Sequence, residues 1–230
     1  MKPKIPKLDC EEYCHKDDTQ YRVIYPEIIR MLRDVKGRTI VDYGCGDGVL
    51  LEELARLGAN IKGYDISKEM ITRSRRLLGN KGDLEVIESG NIPLPDNSLD
   101  AVVSSLVLMM CPSLKDIEKI FGEVNRVLKP QGSWIFSLTH PAFIDRELTC
   151  YRNIFTEDRD YFRLEQPYQF VIINQDRTEV TDDSFIDYNY TLSTYLNLLP
   201  KQGFEFRELK EVKVSENNYP PFIVVHGVKK

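Results

Sequence analysis

Several features are missing from this sequence, and each absence excludes a class of protein. No apolar run reaches the roughly 18 residues that cross a bilayer. The basic start, Met1-Lys-Pro-Lys-Ile-Pro-Lys, is followed by no apolar core of a secretory signal, so no membrane partner is expected. Positive charge is not in excess: 31 Lys and Arg stand against 36 Asp and Glu, a net charge of -5. That balance disfavours a nucleic-acid partner, which calls for a basic stripe. Cysteine is sparse, with 5 at irregular spacing. An odd, irregular set excludes a disulfide framework and fits a reduced, cytoplasmic chain. Cys10, Cys14 and His15 lie close together, yet no second Cys or His pair follows to complete four ligands, so no metal is expected. Internal repeats and low-complexity tracts are absent as well.

What remains is an ordinary globular composition, 42% apolar and 29% charged over 230 residues. The length fits one core with an insertion, as a monomer or homodimer. Residues 1–24 are expected to form an arm, polar over their first 20 or so with two prolines. From residue 25 to 140 the pattern alternates. A helix with Ile28, Ile29, Leu32 and Val35 on one face precedes a strand over 39–43. A helix over 49–57 ends at Gly58, and a strand covers 60–65. A helix capped by Ser67 buries Met70, Ile71, Ser74, Leu77 and Leu78 and ends at Gly79. Strands are expected over 84–88 and 99–106. Ser113 with Asp116 opens a helix that Pro130 and Gly132 end, and a fifth strand spans 133–138. This order implies a doubly wound, Rossmann-like α/β sheet, mostly parallel, whose ligand sits at the carboxyl ends of the strands.

The rhythm breaks over residues 141–190, which hold 10 aromatics. This segment reads as an inserted cap after the fifth strand, partly a hairpin of 168–174 with 180–188, folded over the ligand edge. Residues 191–230 return to the core, with a helix on Leu192, Tyr195, Leu196 and Leu199 and strands over 204–214 and 222–228.

Chemistry concentrates in Val41-Asp42-Tyr43-Gly44-Cys45-Gly46-Asp47-Gly48, between a buried strand and a helix. Gly44 and Gly46 remove side chains where a ligand must approach. Exposed amides at a helix start favour an anionic group. The G-x-G-x-G spacing differs from the G-x-G-x-x-G of dinucleotide binders, which disfavours a nicotinamide dehydrogenase. Asp42 and Asp47 would tolerate a carboxylate flanked by a cation better than a pyrophosphate. That pair of charges belongs to the methionine tail of S-adenosylmethionine. Asp65, 21 residues after Gly44, is placed to accept two ribose hydroxyls. Ile66 and Met70 can flank an adenine ring, or Met70 can pack in the core. Asn91, beside Gly90 and Ile92, can read the adenine edge or serve as a turn residue.

These strings, with Gly63-Tyr64-Asp65-Ile66-Ser67, residues 92–105 and residues 123–132, resemble the class I S-adenosylmethionine-dependent methyltransferases, in their small-molecule branch. The resemblance covers roughly residues 25–140. It implies a seven-stranded sheet with an antiparallel last strand. It also implies that Gly44 and Gly46, with the neighbouring Asp42 and Cys45, hold the methionine tail, Asp65 the ribose, and Asn91 with Ile92 the adenine. The backbone at Ser105 and Leu106 would close the site, and Tyr21 would cover the cofactor. Many relatives carry Asp at the place of Asn91 and Gly-Gly at the place of Gln131-Gly132. Some carry a histidine where Met109 and Met110 stand.

The implied function is methyl transfer to a small-molecule acceptor by direct displacement, releasing S-adenosylhomocysteine. Such a reaction asks mainly for alignment and water exclusion. His140, after the fifth strand on the ligand edge, is the candidate base, or else a strand-end cap. His15 and His226 have no comparable placement. Tyr188 and Tyr190 line the acceptor pocket, or are strand residues of the cap. Two alternatives keep the fold: an RNA or protein acceptor, using Arg146, Arg152, Arg159 and Arg163 of the insertion, or a binding protein without turnover.

Overall fold

The computed structural model describes residues 20–146, 151–172, 186–214 and 218–230. Cys10, Cys14 and His15 lie outside these residues, as do 1–19 of the arm and residues 173–185 around the expected hairpin turn. Among the described residues, no helix is long and apolar enough to cross a membrane.

The strands follow in chain order as β1 (Thr39–Tyr43), β2 (Asn60–Asp65), β3 (Asp83–Val86), β4 (Leu99–Ser105) and β5 (Leu128–Thr139), then β6 (Tyr151–Ile154), β7 (Gln166–Ile172) and β8 (Ile186–Asn189), and finally β9 (Phe204–Val212) and β10 (Phe222–Lys229). Seven of them form one sheet in the order β3-β2-β1-β4-β5-β10-β9, and β6-β7-β8 form a second. In the large sheet the pairs from β3 through β5 are parallel. The last strand, β10, runs antiparallel to both its neighbours. The order reverses at β1, which lies between β2 and β4, and that is where such sheets bind ligands.

The helices are α1 (Tyr25–Leu32), α2 (Val49–Arg56), α3 (Lys68–Leu78), α4 (Leu114–Val127) and α5 (Leu192–Lys201). A π-helical turn, Gln20–Ile24, leads into α1. The caps follow the sequence. Ser67 Oγ accepts from Met70 N at 3.3 Å. Ser113 Oγ accepts from Asp116 N at 3.3 Å and donates to Asp116 Oδ2 at 2.6 Å. Alternate strand residues feed two cores. Val41, Val102, Trp134 and Phe136 pack with Phe121 and Phe204 on one face. Ile40, Ala101, Val103 and Ile135 pack with Ile28, Leu51 and Ile71 on the other. Phe121 meets Trp134 edge-on at 4.2 Å, the favoured geometry for aromatic pairs.

The structure differs from expectation in several places. α4 ends at Val127, before Pro130, because β5 already begins at Leu128, which pairs with Leu99. Lys229 Nζ then donates to the carbonyls of Asn125 (2.6 Å) and Leu128 (2.8 Å), filling acceptors at the helix end. Gln131 sits at φ 65. That left-handed backbone is one that glycine adopts without strain. Leu77 is exposed rather than buried; the core face of α3 is Ile71, Ser74 and Leu78. The cap contains one strand more than expected, β6, paired antiparallel with β7.

Candidate functional site

The bend after β1 is built by close approach. Gly44 lies at φ 79, and a Cβ there would stand 2.3 Å from Val107 Cγ2. The turn after β4 therefore packs directly on the bend, which only glycine permits. Gly46, at φ 53, faces open space, with nothing within 4 Å of an added Cβ. Ser74 fastens the bend to α3 by donating to Gly46 O at 2.9 Å. A serine on the apolar face of that helix was the signal for this contact in the sequence.

The expectation of bare amides does not hold. Gly44 N and Cys45 N both donate to Tyr64 O, at 2.7 and 3.0 Å, and Gly48 N donates to Cys45 O. Gly46 N donates to Asp65 Oδ2 at 2.9 Å. The parallel register sets Tyr43 beside Tyr64, so the end of β2 absorbs the N–H groups of the bend. Cys45 is a structural residue: its thiol is buried, 3.9 Å from Ser74 Oγ, and burial pushes its pKa up.

The bend instead presents carboxyl groups. Asp42 is 2% exposed, and its Oδ1 is buried with no hydrogen-bond partner. Burial, then the charges of Asp65 and Asp47, push its carboxyl up to about 8. Asp65 accepts from Gly46 N and, at Oδ1, from Ser67 N at 2.8 Å. Burial raises its pKa, and the amides of Ser67, Gly46 and Ile66 oppose the rise. The two oxygens of Asp65 offer about four acceptor sites, more than these three amides fill. A buried, unpaired carboxylate is costly, and a cation would relieve it.

Residues 41–136 match the family model Methyltransf_11, described as a methyltransferase domain. A ubiquinone biosynthesis O-methyltransferase of Hydrogenovibrio crunogenus is 39% identical over 117 residues, covering 49% of this chain and 47% of that protein. A demethylmenaquinone methyltransferase of Tropheryma whipplei is 30% identical over 114 residues, covering 49% and 46%. The matched part thus spans less than half the length of these relatives. The fold is that of an S-adenosylmethionine-dependent methyltransferase from Mesorhizobium loti, with TM-score 0.65 and 24% identity, covering 89% of this chain and 96% of that one.

Within residues 41–136, Leu106 takes φ 56, a strained backbone for a branched residue. Ser137 holds it there: Leu106 N donates to Ser137 O (3.1 Å) and Ser137 Oγ (3.2 Å). Ser105 Oγ lies 3.0 Å from Ser137 Oγ. Ile66 and Met70 are half-buried at the start of α3, and Asn91 is exposed. Ile92 is different: it is 1% exposed in the core, and its N–H donates to Glu123 Oε2 at 2.9 Å. Arg126 completes that clamp, donating to Ile92 O (2.9 Å), Leu94 O (2.8 Å) and Asp96 Oδ1 (2.7 Å). The Glu123–Arg126 pair, spaced for one helix face, thus sets the loop after β3. Tyr43 assists, its hydroxyl accepting from Gly90 N at 2.7 Å. Tyr21 reaches the bend from the π-helical turn, donating to Asp47 Oδ2 at 3.3 Å.

Beyond residue 136, two expected site residues have partners within the fold. His140 is 4% exposed. Its Nδ1 accepts from Ala142 N at 3.1 Å, capping the 3-10 turn Pro141–Phe143. The proton therefore sits on Nε2, which faces Glu211 Oε1 at 3.3 Å. Both ring nitrogens therefore have partners within the fold, which favours a cap over a base. His140→Ala is expected to lower stability by about 1–2 kcal/mol and to change kcat less than twofold. Thermal melting beside a turnover assay checks this; a tenfold loss of kcat at unchanged Tm would restore His140 as a base. Tyr190 is 2% exposed and donates to Cys111 O at 2.8 Å, so it anchors the cap instead of lining a pocket. Tyr188 is half-buried. Of the four cap arginines, Arg159 pairs with Asp145 and Arg163 with Glu157, which reduces any basic stripe. Two surface hollows, of about 440 and 570 Å³, lie along β2 and β3 near Lys62 and Gly82, away from the bend.

Proposed function

We propose that this chain is an S-adenosylmethionine-dependent methyltransferase that acts on a small-molecule acceptor by direct displacement. One observation carries the reading: the unpartnered oxygen of Asp42 at the floor of the glycine bend. The residues fit the cofactor as follows. Asp42 faces its ammonium, the open space at Gly46 takes its amino-acid tail, Asp65 accepts from its ribose hydroxyls, and Ile66 with Met70 flank its adenine. Asn91 offers an edge contact, Ser105 and Leu106 close the opposite side, and Tyr21 lies over Asp47. When bound, the cofactor supplies an activated methyl group on a positively charged sulfur. The protein's part is to orient the acceptor and exclude water. The relatives named above are a ubiquinone biosynthesis O-methyltransferase and a demethylmenaquinone methyltransferase, and the net charge of -5 with Arg159 and Arg163 ion-paired supports a small acceptor over RNA.

The pH dependence follows from Asp42. Its folded carboxyl is raised from 3.8 to about 8, so the free protein loses stability as pH rises across that window. Binding a cation requires the carboxylate form. Binding of S-adenosylhomocysteine at pH 7 is therefore expected to release close to one proton, and Asp42→Asn to release none and bind about tenfold more weakly. Calorimetry in two buffers of different ionisation enthalpy reads the proton count directly. Equal counts in the wild type and the variant would remove Asp42 from the cofactor site.

A further inference from the structure

The insertion holds a second buried carboxylate that nothing above uses. Asp187, on β8, is 9% exposed. It stands directly opposite Tyr168 of β7, so both side chains share the inner face of the small sheet. Tyr195 approaches from α5. Tyr168 is 3% and Tyr195 2% exposed. The three lie within electrostatic reach: burial and then the Asp187 charge push the Tyr168 hydroxyl up, and burial, then Cys111, Tyr190 and Asp187, push up that of Tyr195. Burial alone pushes Asp187 up to about 7. No hydrogen bond joins any of these three side chains to the described residues, although buried polar groups are normally paired.

Their place in the fold points to the acceptor. β8 packs on the 3-10 turn Leu108–Met110, which follows β4 at the carboxyl edge of the large sheet. Cys111, next to that turn, feels the Asp187 charge. Tyr190 ties the end of β8 to the same turn through Cys111 O. The inner face of the cap is thus fixed a few residues from Ser105 and Leu106, which border the cofactor side.

We propose that Asp187, Tyr168 and Tyr195 form the polar subsite that binds the acceptor through a hydrogen-bond donor, an amine or a hydroxyl. This rests on the methyltransferase reading. A carboxylate in such a subsite repels acidic acceptors and is satisfied by N–H or O–H groups. Because the fold itself leaves Asp187 unpaired, its role is recognition and not stability.

The test uses the full chain saturated with S-adenosylhomocysteine. Tyramine and phenylacetate are titrated separately, followed by saturation-transfer NMR. Tyramine is expected to bind at least tenfold more tightly than phenylacetate. Asp187→Asn is expected to weaken tyramine at least tenfold, and Tyr168→Phe at least threefold. Both variants should keep the wild-type affinity for S-adenosylhomocysteine within twofold, with a Tm equal to or above that of the wild type. Equal binding of the two probes, no binding of tyramine, or a Tm several degrees lower in Asp187→Asn would overturn the proposal. Failure of S-adenosylhomocysteine to bind the wild type would instead count against the methyltransferase reading.

Discussion

Replacing Asp65 by alanine is expected to weaken S-adenosylhomocysteine binding on the order of 100-fold. Two hydrogen bonds from hydroxyls to a largely desolvated carboxylate are charge-assisted, and each is worth about 1.5–3 kcal/mol. Asp65 also receives Gly46 N and Ser67 N, so its loss loosens the bend as well. A paired ligand separates the two effects. Adenosine and 2′,3′-dideoxyadenosine should differ strongly in affinity for the wild type and bind Asp65→Ala equally. A difference that persists in the variant would place the ribose elsewhere.

The two glycines of the bend should respond in opposite ways. Gly46→Val introduces a side chain into open space. Its folding cost is that of a left-handed branched residue, about 1–2 kcal/mol. Its binding cost should be at least 100-fold, because the new side chain fills the volume assigned to the methionine tail. Gly44→Ala should do the reverse. Its methyl group meets Val107 Cγ2 at 2.3 Å, and stability should fall by about 2–4 kcal/mol. Shortening the obstacle with Val107→Ala should return part of that loss, leaving the cost of φ 79. Urea midpoints and calorimetric affinities on the same samples check both claims. A Gly46→Val protein that binds normally would show that the open space is not the cofactor's.

The sheet was legible because its strands are apolar runs punctuated by Gly58, Gly79 and Gly203, and because Ser67 and Ser113 announce their helices. The glycine bend was legible from its spacing. The destination of its amides was not: they turn toward Tyr64 O and Asp65, partners brought in by the register of β1 on β2. Ile92 read as a contact residue, yet Glu123, 31 positions later, claims its N–H and the core claims its side chain. His140 stood on the expected edge, but its nitrogens were taken by Ala142 and by Glu211 of β9, a strand 71 residues away. The cap hid most. Asp187 in a short strand reads as a surface acid, and only the pairing with Tyr168 and the approach of α5 turn it inward.

The most direct measurement is equilibrium dialysis of the full chain with tritiated S-adenosylmethionine, run with and without excess NADH. One molecule should be retained per chain, displaced by S-adenosylhomocysteine and indifferent to the dinucleotide. No retention, or displacement by NADH, would contradict the cofactor assigned to the bend between Tyr43 and Gly48.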